Sequence, residues 1–327
     1  MAKGSMEERE GGFGLLFGDT RSSDEDSGDE VGPALVEEEY TRPSPAPPLS
    51  RAEAGGAAVP PKLRLSLVSS RHSLWGHRLW NAALLLAEMF DKREINVEGK
   101  SVLELGAGAG LPSLICALRG ARKVVISDYA TSTDTALMVP IQINIDRVQP
   151  KFVPNGTLHA VGHVWGHGVE DLFVPLLSRE QHPQFDRDNE RGRDENAEPE
   201  HRPPPAGGAV GKREGGETGG RGEYTPEGFD TLILADLLFN RSQHAQLLDT
   251  CDRCLRSGPD AGTAWVSFSH HDPEKTELDM KFFALANERG FAATRIKTVQ
   301  MRDLFVENDG MDDLRGEVHL WCLKRDG

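Results

Sequence analysis

Val102-Leu103-Glu104-Leu105-Gly106-Ala107-Gly108-Ala109-Gly110 decides how this chain is read. A short run suited to a buried strand meets three glycines at alternate positions, and an apolar helical pattern follows from Leu111. Glycine lets a backbone turn sharply and approach a ligand where any Cβ would collide. The carboxyl end of a parallel strand is also where doubly wound sheets bind their ligands. An ordinary glycine-rich turn is the plainer alternative. The dinucleotide fingerprint G-x-G-x-x-G seats its third glycine beneath a pyrophosphate. This loop reads G-x-G-x-G, two residues after Glu104, so its spacing departs from that fingerprint.

Outward from the loop, strand and helix patterns alternate. Leu79 to Phe90 reads as a helix, with Trp80, Ala83, Leu84 and Ala87 at the i, i+3, i+4, i+7 spacing of one buried face. Ser101 to Leu105 is a strand, Leu111 to Leu118 a helix and Lys123 to Ser127 the next strand. Thr133 to Arg147 is helical in pattern, with Pro140 predicting a kink or break inside it. Leu158 to Trp165, Thr231 to Leu234 and Ala264 to Ser269 are strand-like, and Arg241 to Leu255 is helical. Lys275 to Arg289 is an amphipathic helix stopped by Gly290. Phe291 to Val299 and Glu317 to Leu323 complete the strands. This alternation predicts an α/β fold with a mostly parallel, doubly wound sheet. No helical pattern separates the last two strands, so the final one is expected to run antiparallel.

Two tracts fall outside that pattern. Residues 1–60 carry 13 acidic against 5 basic residues and few large aliphatics, and residues 178–228 are rich in Arg, Glu, Gly and Pro. Neither buries enough apolar surface to offset the entropy of ordering it. The expected organisation is a disordered acidic tail over 1–60 and one domain over 61–327, interrupted by a disordered insert at 178–228. A structureless internal stretch that long sits on the surface.

The net charge of −15 disfavours direct binding to nucleic acid, because phosphate backbones repel it. A basic protein partner fits the sign better. Four cysteines supply no disulfide framework, and the lone C-x-x-C of Cys251 and Cys254 lies in a helical pattern without the further ligands a zinc site needs. No metal site is expected. Neither a signal peptide nor an apolar run of membrane-spanning length is present in the sequence, so the reading is a cytoplasmic protein with no membrane contact.

Three further strand ends carry chemistry. Val124-Val125-Ile126-Ser127-Asp128 places a carboxylate at the tip of the neighbouring strand, where its two oxygens can accept both hydroxyl hydrogens of a ribose. That feature serves adenosine in several cofactors alike; a surface Asp in a turn is the bland alternative. Val164-Trp165-Gly166 offers an indole that can stack on adenine, with a core Trp as its ordinary reading. Ala235-Asp236-Leu237-Leu238-Phe239-Asn240 follows the fourth strand with a small residue, a carboxylate and an aromatic in order. Ala235 can lie against the cofactor, while Asp236 and Phe239 can face an amine by charge and by cation–π contact. Asp236 can instead cap the next helix, although Asn240 is nearer its start.

Together these segments resemble the class I, seven-stranded protein lysine methyltransferases: Trp80-Asn81-Ala82-Ala83-Leu84, Glu104 to Gly110, Asp128, Val164-Trp165-Gly166 and Ala235 to Phe239. Leu74-Trp75-Gly76-His77-Arg78-Leu79-Trp80-Asn81-Ala82, Ala235 to Asn240 and Ser267-Phe268-Ser269-His270-His271 are more closely similar to the fungal-type protein N-terminal and lysine N-methyltransferases acting on translation elongation factor 1-alpha. The resemblance spans about residues 70–323 apart from the insert. It implies a Rossmann-like fold, S-adenosylmethionine as cofactor, and methylation of the N-terminal glycine and adjacent lysine of that factor. It places Trp80, Gly106, Ala107, Gly108, Asp128, Trp165 and Ala235 on cofactor-binding positions, and Asp236 and Phe239 beside the substrate amine. The alternatives are a methyltransferase for another protein lysine or a small amine, a non-catalytic module of the same fold, and a nicotinamide oxidoreductase. The spacing of the glycines disfavours the last.

Overall fold

The computed structural model describes residues 34–43, 59–69, 76–177, 227–302 and 316–325. Seven strands form one sheet: β3 (Ser101–Leu105), β4 (Lys123–Asp128), β5 (Leu158–Gly162), β6 (Thr231–Ala235), β7 (Thr263–Ser269), β8 (Phe291–Gln300) and β9 (Glu317–Arg325). Their order across the sheet is β5-β4-β3-β6-β7-β9-β8. β9 runs antiparallel to both β7 and β8, and the β3–β4, β4–β5, β3–β6 and β6–β7 pairings are parallel. The chain therefore lays β4 and β5 to one side of β3 and β6 and β7 to the other. The crevice at the carboxyl ends of β3 and β6 is the switch point where such sheets bind ligands.

Both faces of the sheet are covered. Alternation sends Val102, Val124, Ile126 and Ile233 to one apolar layer with α1 (Asn81–Asp91), α2 (Leu111–Leu118) and α3 (Met138–Val148). Leu103, Leu105, Val125, Leu232 and Leu234 face the other layer, with α5 (His244–Cys254) and α6 (Thr276–Glu288); a single turn, α4 (Glu170–Phe173), lies between β5 and β6. Cys251 and Cys254 both sit inside this second layer, where burial pushes their thiols up, Cys254 to about 12. α6 ends as its sequence indicates, with Gly290 at φ 80° past the last turn.

Four sequence expectations are corrected. The tract 1–60 contains a strand: β1 (Leu35–Thr41) pairs antiparallel with β2 (Lys62–Val68), a strand the hydrophobic pattern also did not single out. Composition averaged over 60 residues hides the reason. Glu37 is matched by Arg64 and Arg147, Glu39 by Lys62, and Tyr40 is buried. Arg42, just beyond β1, reaches the fully buried Asp91, which Arg119 also contacts at 2.9 Å. Of the remaining tail and the insert, residues 1–33, 44–58 and 178–226 lie outside the described residues. Pro140 neither kinks nor breaks α3, because the helix starts at Met138 and the proline falls in the first turn. A missing N–H there breaks no intrahelical bond. β5 stops at Gly162, so Trp165 stands in the loop beyond it rather than on the strand. Finally, the helical pattern from Arg241 begins as a 3₁₀ turn (Arg241–Gln243) before α5.

Candidate active site

The glycine loop leaves β3 with Gly106, Gly108 and Gly110 at φ 60°, 56° and 72°. At Gly106 a Cβ would lie 2.6 Å from Leu237 Cδ2 and 3.1 Å from Trp165 Cζ2, so glycine is needed for space as well as for conformation. A Cβ on Gly108 would meet nothing within 4 Å, and only its positive φ calls for glycine. Asp128, the last residue of β4, braces the loop. Its Oδ2 accepts the Gly108 N–H at 2.7 Å, and its Oδ1 accepts the Tyr129 N–H at the same distance.

Beneath the loop, Glu104 is fully buried and accepts the Ser113 N–H at 3.1 Å. Its other oxygen has no hydrogen-bond partner among the described residues. Burial pushes this carboxyl up to about 8, against the pull of Ser113. A carboxylic acid kept neutral near pH 7 needs no counter-ion in the apolar layer under α2.

Two cavities open on either side of the loop. The first is lined by residues that include Trp80, Gly106, Asp128, Trp165, Asp236 and Phe239. The second is lined by residues that include Arg78, Trp80, Ala107, Gly108, Asp128 and Ala235. Trp80 and Asp128 belong to both. Every residue singled out from the sequence thus borders this pair of cavities: Gly106, Trp165, Asp236 and Phe239 the first, Ala107, Gly108 and Ala235 the second.

The loop after β5 is held in place by Thr250 of α5. Its hydroxyl accepts the Gly166 N–H at 2.9 Å and lies 3.3 Å from His163 Nε2. Burial lowers the pKa of His163, which keeps the ring neutral at physiological pH. The Trp165 indole is thereby fixed against the Gly106 side of the loop rather than absorbed into the core.

Asp236 departs from its sequence reading in one respect. It does not cap the following turn, yet neither is its carboxylate unengaged. It is buried at φ 61°, its Oδ1 accepting the Ser269 N–H at 3.2 Å and its Oδ2 lying 3.0 Å from His271 Nε2. Phe239 stacks on the same imidazole at 4.9 Å and 7°, and Trp80 stacks on it at 5.1 Å and 28°. His271 was visible in the sequence only as the end of Ser267-Phe268-Ser269-His270-His271, with no signal that distinguished it from His270. Asn240 heads the 3₁₀ turn, but its Oδ1 accepts from the Ser242 hydroxyl and caps no backbone N–H.

These residues fit a nucleoside cofactor. The backbone at Gly108 is open where a ligand would approach, and Asp128 stands on the wall of both cavities. An indole and small apolar side chains complete the walls.

Comparison with known proteins agrees. The lysine methyltransferase family matches residues 61–175. The chain is similar to the protein N-terminal and lysine N-methyltransferase efm7 of Schizosaccharomyces pombe, 32% identical over 260 residues, covering 80% of this chain and 81% of that protein. The protein of the same description from Gibberella zeae is 34% identical over 279 residues, covering 84% and 86%. That from Debaryomyces hansenii is 31% identical over 287 residues, covering 88% and 92%.

Proposed function

The chain belongs to the protein N-terminal and lysine N-methyltransferases, and on that premise we propose that its substrate is translation elongation factor 1-alpha, modified at the N-terminal glycine and the adjacent lysine. It is an S-adenosylmethionine-dependent enzyme acting on a protein. No helix among the described residues is long and apolar enough to cross a membrane, which is compatible with work in the cytoplasm on a translation factor.

The observation that carries the assignment of roles is the shared wall of the two cavities. Gly106, Ala107 and Gly108 offer backbone to the cofactor, and Asp128 offers carboxylate oxygens to ribose hydroxyls. Trp165 and Ala235 supply apolar surface, and Trp80 stands between the cofactor side and the amine side. S-adenosylmethionine supplies a methyl group on an electrophilic sulfonium, so the chain's own contribution is chiefly position. Asp236 orients the incoming amine, and Phe239 meets the same group as a cation–π surface. The cavity also has to receive an amine in neutral form. An α-amine has a reference pKa of about 8 and a lysine amine about 10.4, so the lysine is the harder substrate at physiological pH.

The direct test incubates the purified chain with radiolabelled S-adenosylmethionine and elongation factor 1-alpha, then locates the label by mass spectrometry. Label on the N-terminal peptide is the expected result. Label on another protein, with that peptide unmodified, removes the substrate and leaves the enzyme class standing.

A further inference from the structure

His270 and His271 are adjacent in sequence, and each meets its own aspartate. His270 Nδ1 lies 2.8 Å from Asp279, whose carboxylate also takes Arg241 Nε at 2.7 Å. That aspartate is already balanced by a guanidinium. His271 sits instead against Asp236, which has no guanidinium partner among the described residues, and its ring is stacked on Trp80 and on Phe239. Asp236, Trp80 and Phe239 all line the cavity in which the amine is placed.

A lone buried carboxylate beside an amine favours the ammonium form, and an ammonium has no lone pair with which to attack. A carboxylate hydrogen-bonded to an imidazole behaves otherwise, because the ring can take a proton while the carboxylate keeps its charge. We propose that Asp236 and His271 form a single proton-accepting pair, which removes the proton that the substrate ammonium must lose before methylation. This rests on the protein-amine reading above. In the step, one N–H bond of the ammonium breaks and its electron pair stays on nitrogen. The proton ends on the imidazole, and the imidazolium remains ion-paired to Asp236 until it releases the proton to water. The ring is stacked on Trp80 and on Phe239, which hold it beside Asp236.

Other charged and titratable groups surround the pair. His77 and Arg78 flank Trp80 ahead of α1, at 6.3 Å and 5.9 Å from its ring. Asp272, next along the chain, is held by Lys275, and Asp128 stands on the shared cavity wall. The His270–Asp279–Arg241 group lies beyond the strand end. None of these is joined to Asp236 by a hydrogen bond or ion pair, so its coupling to His271 is specific.

The test measures kcat/KM against pH, from 6 to 10, for the full chain with a peptide that begins Gly-Lys. Wild type is compared with His271→Gln, whose amide can still donate to Asp236 but accepts no proton. The expected variant binds cofactor within about 2-fold of wild type and is slowed about 10-fold at pH 7, one unit below the pKa of about 8 of an α-amine. Its rate then climbs about 10-fold per pH unit until the amine ionises unaided, near pH ~8 for an α-amine, and the gap closes. If His271→Gln does not fold, His271→Phe keeps the stack and is expected to show the same rise. A variant profile parallel to wild type, or an unchanged rate, overturns the pair while the substrate reading stands. A wild type that methylates neither amine of the peptide overturns both.

Discussion

Asp128 is the last residue of β4 and Asp236 directly follows β6, one register position further out, and both are buried. Their partners set them apart. Asp128 accepts the backbone N–H groups of Gly108 and Tyr129, neither of which can gain or lose a proton near neutral pH. Asp236 gives one oxygen to a backbone N–H and the other to an imidazole. The backbone differs as well: Asp236 holds φ 61°, a conformation few non-glycine residues adopt, which the contacts to Ser269 and His271 sustain. One carboxylate braces the glycine loop. The other is joined to an imidazole. The same residue type at neighbouring strand tips thus does two jobs, decided by what the next element brings to it.

The sharpest way to break this contrast is Asp236→Asn. The amide keeps the shape but cannot balance a charged imidazole, and turnover is expected to fall by about 10²-fold or more. Cofactor affinity, read by calorimetry, should stay within about 3-fold; equal turnover in variant and wild type would remove Asp236 from the amine side. Asp128→Ala should do the reverse. Losing a charged acceptor weakens cofactor binding by about 10- to 100-fold, from hydrogen bonds worth roughly 1.5–3 kcal/mol. Turnover at saturating cofactor should change only a few-fold. If both variants lose binding and turnover alike, the two aspartates are not separable and the contrast fails.

The glycine loop tests the same boundary through stability. Gly106→Ala places its Cβ against Leu237 and adds strain at positive φ, so about 2–3 kcal/mol of stability should be lost in urea denaturation. Gly108→Ala carries only the conformational cost, about 1–2 kcal/mol. Equal losses at the two positions would mean that the close approach of Leu237 and Trp165 does not matter.

A last test reads a slope against pH rather than a loss at one pH, and concerns Glu104, between the two aspartates on β3. Its folded pKa, about 8, lies above the unfolded value near 4.5, so the folded state holds a proton that the unfolded state gives up. The sign follows: its contribution to stability is fully present below about pH 4.5 and is lost as pH rises to about 8, at up to about 1.4 kcal/mol per pH unit. Glu104→Gln should flatten that slope between pH 5 and 8. A slope unchanged by the substitution would show that Glu104 is ionised in the fold.

Much of this was legible in the chain. Strands β3, β6 and β7 and helix α2 fall where the apolar pattern and the glycines put them, and the antiparallel last strand follows from the missing helix before it. The nine site residues, eight of them at or beyond strand ends and Trp80 taken from the family resemblance, all border the paired cavities. What the pattern concealed were interactions made at long range. β1 was hidden in an acidic tract whose charges are matched by Arg64, Arg147 and Lys62, and Arg42 finds Asp91 at a separation of 49 residues. Pro140 looked like a breaker because nothing local showed that α3 begins only two residues earlier.

Sequence alone determined the alternation of elements, the glycine turn after β3 and the presence of a carboxylate at the ends of β4 and β6. These depend on local backbone preference and on the period of apolar residues, which are properties of neighbouring positions. Only the tertiary structure decided what each carboxylate touches. His271 lies 35 residues from Asp236 and beside a second histidine of identical chemistry, and it is the pairing of β6 with β7 that brings one of the two against Asp236. Side chains that follow one another at a strand end leave it in different directions, and the direction is set by packing against distant elements rather than by the order of residues.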